Sequence, residues 1–293
     1  MENTLKVGIV QMSCTQNQKE NQSKIEKQIK QLADKNTDLI VLQELHDSLY
    51  FCQTENVKNF EFAQKLPGPI TEFYSNLAKK HDVVLVSSLF EKRTGGLYHN
   101  TAVVFEKDGS IAGMYRKMHI PDDPGYHEKF YFTPGDLGFK PIKTSVGTLG
   151  ILICWDQWFP EAARLMALRG AEILIYPTAI GYDEKDNLKE RRTQLESWKT
   201  IQKSHAIANG IPLICVNRVG TETSENSESK IHFWGNSFIC GPQGEVIYQA
   251  DENEQTTTTE IFLNQSEKVR QIWPFFRDRR IEEYSEIGKR FID

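Results

Sequence analysis

Apolar positions recur along the chain with two periods, and the alternation between those periods predicts the fold. The run Lys6-Val7-Gly8-Ile9-Val10-Gln11-Met12 reads as a strand, and residues 17–35 follow with Ile25, Ile29 and Leu32 on one face at helical spacing. A second apolar run over residues 39–42 completes a strand–helix–strand unit, the first sign of an α/β layered fold. Residues 71–81 predict a helix, Val83-Val84-Leu85-Val86 a strand, and residues 98–106 and 111–117 a hairpin joined at Asp108-Gly109. Residues 149–153 form a short apolar strand. Pro160-Glu161 suits the first turn of the next helix, over 162–169, and Gly170 ends it. Beyond it come a strand over 172–176, a long helix over 188–209 stopped by Gly210 and Pro212, and a strand over 213–216. The polar stretch 221–230 reads as a mobile surface loop, 233–239 and 244–249 as a hairpin around Gly241-Pro242, and 256–263 as a last strand.

The segment after that strand changes the picture. It holds Trp273, Pro274, Phe275 and Phe276, then Arg277-Asp278-Arg279-Arg280, then a helical pattern to Phe291. Large apolar groups there would be left in water unless the tail packs on the domain or on a neighbouring subunit. The expected organisation is one domain over residues 1–263, with a tail over 264–293 that belongs to it or to a subunit interface in a homo-oligomer.

Composition narrows the function classes. With 293 residues and 39% apolar content the chain can bury a large core. A net charge of -5 with both signs mixed gives no footprint for nucleic acid or an anionic membrane. No apolar run approaches the ~20 residues that span a bilayer, and residues 1–10 lack a signal-peptide pattern, so a cytoplasmic location is expected. The cysteines Cys14, Cys52, Cys154, Cys215 and Cys240 are scattered, with no Cys-x-x-Cys pair to suggest a metal or a redox couple.

Candidate chemistry collects at strand ends. Glu44 comes after strand 39–42, at the C-terminal edge where sites in open α/β sheets gather. Lys117 stands where the second hairpin strand gives way to an irregular segment, and residues 124–136, rich in Pro, Gly and aromatics, read as a binding loop. Cys154 comes directly after strand 149–153, at a helix start whose N–H groups favour a thiolate and a developing oxyanion. The three types are complementary: a carboxylate takes a thiol proton, an ammonium steadies an oxyanion, and a thiolate attacks a carbonyl or carbamoyl carbon.

Glu44 in LQELH, Lys117 in YRKMHIP and Cys154 in ICWDQWFPE together resemble the nitrilase, or carbon–nitrogen hydrolase, superfamily, over nearly the whole chain. The resemblance implies a four-layer α-β-β-α sandwich, often assembled as dimers or larger oligomers, and a Glu-Lys-Cys triad that needs no metal or organic cofactor. It also assigns Glu128, in GYHEKFYFTPGD, to the second glutamate beside the centre, and the Trp155 N–H to the oxyanion site. Asn236, in FWGNSFICGP, is read as structural.

The residues just after the cysteine bear on the substrate. Branches that cleave N-carbamoyl-D-amino acids carry arginines there to clamp a carboxylate, whereas this chain has Gln157 and Trp158. An indole beside acidic groups suits an alkylammonium, so the expected reaction is hydrolysis of a small cationic N-carbamoyl amine in polyamine metabolism. Tyr50, Trp155, Gln157, Trp158 and Ala179 are the expected pocket residues, with Asp183 or Glu184 anchoring the ammonium. The alternatives are an N-carbamoyl-β-alanine or other N-carbamoyl amino acid hydrolase, an ω-amidase, or a non-catalytic scaffold. The segment His46-Asp47-Ser48-Leu49 departs from the aromatic, glycine-bearing stretch expected before Tyr50.

Overall fold

The computed structural model describes residues 4–223 and 230–292. In chain order the first half is β1 (Thr4–Gln11), α1 (Gln18–Ala33), β2 (Leu39–Leu42), α2 (Pro69–His81), β3 (Val84–Thr94), β4 (Leu97–Phe105), β5 (Ile111–Arg116) and the one-turn α3 (Glu128–Tyr131). The second half is β6 (Ile142–Thr144), β7 (Gly147–Ile151), α4 (Pro160–Leu168), β8 (Ile173–Pro177), β9 (Gly181–Asp183), α5 (Leu188–Asn209), β10 (Leu213–Val216), β11 (Val219–Glu222), β12 (Ile231–Trp234), β13 (Phe238–Cys240), β14 (Val246–Gln249), β15 (Gln255–Phe262) and α6 (Asn264–Ile272).

Two six-stranded sheets, ordered β15-β1-β2-β3-β4-β5 and β14-β13-β10-β8-β7-β6, form the middle of a four-layer α-β-β-α sandwich. Each has a parallel centre joined by helices, β1-β2-β3 in one and β7-β8-β10 in the other. Period-two alternation assigns the faces. Leu39 and Val41 of β2 point into the core between the sheets, with Ile151 and Ile175, while Ile40 and Leu42 point outward against Ile25 and Ile29 of α1 and Leu77 of α2. Strands buried on both faces read as continuous apolar runs, which is why β2 and β8 are so plain in the sequence.

This arrangement sets the site. Glu44 lies just past the C-terminal end of β2, and Cys154 lies past that of β7. Strand β5 is antiparallel to β4, itself antiparallel to β3, so Lys117 leaves the same edge of the first sheet as Glu44. The two edges meet, with Glu44 N–H donating to the Thr178 carbonyl beyond β8.

Three expectations are corrected. The run 233–239 is not one hairpin strand. Gly235 and Asn236 both take positive φ, +57° and +54°, and break it, leaving β12 in a small third sheet with β11 and β9 and β13 in the second large one. The helix begins at Pro160 as expected, but Cys154 does not stand at its start, because a 3-10 turn, Cys154–Trp158, comes between them. The tail is not helical to Phe291. After α6 it makes only short 3-10 turns at Ile281–Glu283 and Ser285–Gly288, where Ile281 and Ile287 are each 70% exposed. A short helix that buries no apolar face has little to hold it. Phe276 does pack on the main core, under the guanidinium groups of Arg164 and Arg270. Of the loop expected at 221–230, residues 221 and 222 belong to β11 and 224–229 lie outside the described residues.

Candidate active site

Glu44, Lys117, Glu128 and Cys154 converge, all buried. The Lys117 ammonium donates to Glu44 Oε1 at 2.8 Å and to Glu128 Oε2 at 2.6 Å. Asn100 Nδ2 gives Glu44 Oε1 a second hydrogen bond at 2.7 Å, and Tyr50 OH donates to Glu128 Oε1 at 2.6 Å. The other oxygen of Glu44, Oε2, is buried without a hydrogen-bond partner among the described residues. It is the acceptor left over for a thiol or water proton.

Electrostatics are set by burying two carboxylates around one ammonium. Burial alone would lower Lys117, but Glu128 and Glu44 outweigh it and hold the ammonium well above its usual range. Burial pushes Glu128 up to about 7, against the pull of Lys117. Burial and then the Glu44 charge push the Cys154 thiol well above its ordinary range, with Lys117 opposing. The resting cysteine is therefore a thiol that needs a base.

The local backbone presents that thiol. Cys154 has φ +43°, a left-handed conformation that non-glycine residues adopt at a cost and that concentrates at functional sites. Its Sγ lies 3.8 Å from the Ala179 carbonyl oxygen. The 3-10 turn brings every third residue to one side. Trp155 and Trp158 thus face the same way, ring centroids 6.4 Å apart, over a cleft of about 460 Å³ that reaches Cys154.

The expected pocket residues divide. Trp155, Trp158 and Asp183 line that cleft. Tyr50 instead lies behind it, packed on the lining residue Tyr126 and bonded to Glu128. Ala179 is buried and offers its carbonyl. Gln157 is not brought to the cleft. It falls on the inner side of the turn, fully buried, with its Oε1 accepting from Thr178 Oγ1 at 3.2 Å. Glu184 is also outside the cleft, exposed on the turn after β9 and 3.8 Å from the Lys230 ammonium. In its place the cleft has Asp186, whose carboxylate accepts from the Asp183 N–H and from Gln194 Nε2, both at 3.1 Å, and Asp123.

Sequence reasoning passed over Arg218, Asn100 and Asp156. Arg218 is fully buried and holds the Glu44 turn from behind, donating to the carbonyls of Glu44 (3.1 Å), Leu45 (2.7 Å) and Ser48 (2.9 Å) and to Glu222 Oε1 (2.8 Å). Glu222 Oε2 in turn accepts the Tyr50 N–H at 2.6 Å. An arginine so soon after the apolar run 213–216 was the available signal. The departing segment 46–49 supplies a further brace, in which Asp47 accepts from Tyr74 OH and pairs with His46, whose Nε2 meets Ser87 Oγ at 2.8 Å.

Comparisons with known proteins place the chain in a family. The carbon–nitrogen hydrolase family model matches residues 6–271. An N-carbamoylputrescine amidase of Oryza sativa subsp. japonica is 45% identical, covering 95% of this chain and 92% of the relative. A citrullinase of Francisella tularensis is 42% identical, covering 98% and 99%. The crystal structure of a carbon–nitrogen hydrolase from Helicobacter pylori G27 superposes with a TM-score of 0.96 at 54% identity, over 99% of this chain and 100% of that one. The chain belongs to the carbon–nitrogen hydrolase family of the nitrilase superfamily and is an amidohydrolase.

Proposed function

We propose that this protein hydrolyses N-carbamoylputrescine to putrescine, ammonia and carbon dioxide, through a covalent intermediate on Cys154. The observation that carries the substrate reading is the charge of the cleft. Its lining includes Asp123, Asp183 and Asp186 and, among the described residues, no lysine or arginine. Such a cleft favours an ammonium and leaves a carboxylate without a partner. Asp183, with Asp186 beside it, receives the substrate ammonium, and the faces of Trp155 and Trp158 flank the alkyl chain.

Each step has a group suited to it. Glu44 takes the Cys154 proton through its unpartnered Oε2, and the thiolate attacks the carbamoyl carbon. Lys117 and the Trp155 N–H steady the oxyanion. The C–N bond then breaks, the departing nitrogen takes the proton from Glu44, and a thioester remains on sulfur. Water, giving its proton to Glu44, attacks that S-carbamoyl carbonyl; the C–S bond breaks, Cys154 takes the proton back from Glu44, and the carbamic acid released splits into carbon dioxide and the second amine. Glu128, bonded to both Lys117 and Tyr50, keeps the ammonium aimed at the reacting carbonyl.

A second reading is citrulline hydrolysis, favoured by the citrullinase relative that matches over nearly the full length. Citrulline carries the same carbamoyl group but adds a carboxylate beside its ammonium. Purified protein given N-carbamoylputrescine, citrulline and N-carbamoyl-β-alanine in parallel should release ammonia from the first with at least a hundredfold higher kcat/KM. A higher value for either carboxylate-bearing substrate overturns the substrate assignment.

A further inference from the structure

We propose that Asp156 is a positioning residue that fixes the separation between the Lys117 ammonium and the Cys154 thiol. The inference rests on the proposed function, which gives those two side chains their roles. What carries it is the way a single buried carboxylate is shared. Oδ2 of Asp156 accepts the Ile153 N–H at 3.0 Å and the Tyr115 hydroxyl at 2.8 Å. Oδ1 accepts the His119 N–H at 2.9 Å and meets His119 Nδ1 at 2.7 Å, so that nitrogen carries the hydrogen facing it.

These partners flank both reacting groups. Tyr115 and His119 stand two residues before and two residues after Lys117, Ile153 immediately precedes Cys154, and Asp156 comes two residues after it. One side chain therefore ties both shoulders of the lysine segment, which belongs to the first sheet, to both shoulders of the cysteine turn, which belongs to the second. Lys117 itself is held at the same height by its N–H, which donates to the Asn100 carbonyl, and by its carbonyl, which accepts the Gly135 N–H. Stacking on Phe159, with ring centroids 3.7 Å apart and planes within 4°, keeps the His119 ring at the carboxylate.

The tether also opposes a local preference. Cys154 sits at φ +43°, from which an L-residue relaxes readily if its neighbours allow it. The Ile153 N–H to Asp156 carboxylate bond and the Asp156 N–H to Ile153 carbonyl bond, 3.0 Å each, close a ring around the cysteine and prevent that relaxation. All four acceptor positions of the carboxylate are used, so an amide cannot replace it, because its NH2 would face donors. Displacing a reacting group by about 1 Å is enough to cost a hundredfold in rate.

The test uses Tyr115→Phe, Asp156→Asn and the double variant, with Cys154→Ala in parallel, measuring kcat and KM for N-carbamoylputrescine and folding by circular dichroism. Tyr115→Phe, which deletes one hydroxyl and keeps the ring, should lower kcat about tenfold with KM within twofold of wild type. Asp156→Asn should lower kcat at least a hundredfold. The double variant should be no worse than Asp156→Asn alone, since the hydroxyl acts through the carboxylate. If Asp156→Asn does not fold, Tyr115→Phe decides by itself. Losses that multiply in the double variant, losses confined to KM, or wild-type kcat in Tyr115→Phe overturn the positioning role while an inactive Cys154→Ala leaves the functional reading standing. An active Cys154→Ala overturns that reading instead.

Discussion

Replacing Arg218 with methionine keeps most of the side-chain volume and removes a charge that the fold surrounds completely. The guanidinium is fully buried, donates to three main-chain carbonyls around Glu44 and pairs with Glu222 at 2.8 Å. Deleting one partner of a buried ion pair costs about 3–5 kcal/mol, because the other charge is left without compensation. The carbonyls of Glu44, Leu45 and Ser48 lose a donor as well, each worth about 1 kcal/mol or more. Arg218→Met should therefore lose at least about 4 kcal/mol, much of the ~5–15 kcal/mol that holds a typical domain. Adding Glu222→Gln neutralises the stranded carboxylate while its amide oxygen still accepts the Tyr50 N–H. The double variant should regain about 2 kcal/mol over the single one. Urea unfolding monitored by tryptophan fluorescence measures both steps. A single variant within about 1 kcal/mol of wild type, or a double variant weaker than the single one, refutes the idea that Arg218 is held by charge pairing.

Two further outcomes come from the buried titratable groups. His205, buried against Tyr176, is pushed down from its ordinary range to about 4 by burial, so the unfolded chain binds a proton between that value and 6.5 that the folded chain does not. Its contribution is present above pH 6.5 and is lost as pH falls toward 4, about 2 kcal/mol of it between pH 7 and 5. Urea midpoints should drop less steeply over that interval in His205→Gln than in wild type, and equal slopes count against the assignment. Glu44→Gln retains an oxygen for the Asn100 and Lys117 donors but removes the charge that raises the Cys154 thiol. Hydrolysis should fall about a thousandfold or more, whereas iodoacetamide, with peptide mapping, should label Cys154 faster than in wild type at pH 8. Slower labelling refutes the electrostatic coupling.

The parts of the site legible from sequence are those fixed by strands. Glu44, Lys117 and Cys154 each stand just past a strand end, so locating the strands located the first two at one edge of the first sheet and the third at an edge of the second. What was misplaced depends on side-chain direction in short irregular turns. Gln157 and Trp158 are neighbours in sequence, yet one turn of 3-10 geometry sends the first into the core and the second into the cleft. Glu184 and Asp186 are likewise separated by the turn after β9, and only the second meets Asp183. Arg218 and Asp156 act across the fold, from the end of β10 to the Glu44 turn and from one sheet to the other, and no local pattern encodes a partner 174 residues away. The break at Gly235-Asn236 was signalled by that Gly-Asn pair, but the large apolar residues on either side, Phe233 and Trp234 before it and Phe238 and Ile239 after it, carried the reading of a single strand. The tail pattern misled for the opposite reason, since its apolar residues have helical spacing but bury no face.

Covalent catalysis by Cys154 on N-carbamoylputrescine is checked by measuring ammonia release by wild type and by Cys154→Ala side by side, with circular dichroism of both. Steady turnover by wild type is expected, with a loss of at least ten-thousandfold in a variant of unchanged fold. A folded Cys154→Ala protein that keeps activity within tenfold of wild type, or a wild type that releases no ammonia from this substrate, contradicts the proposed reaction.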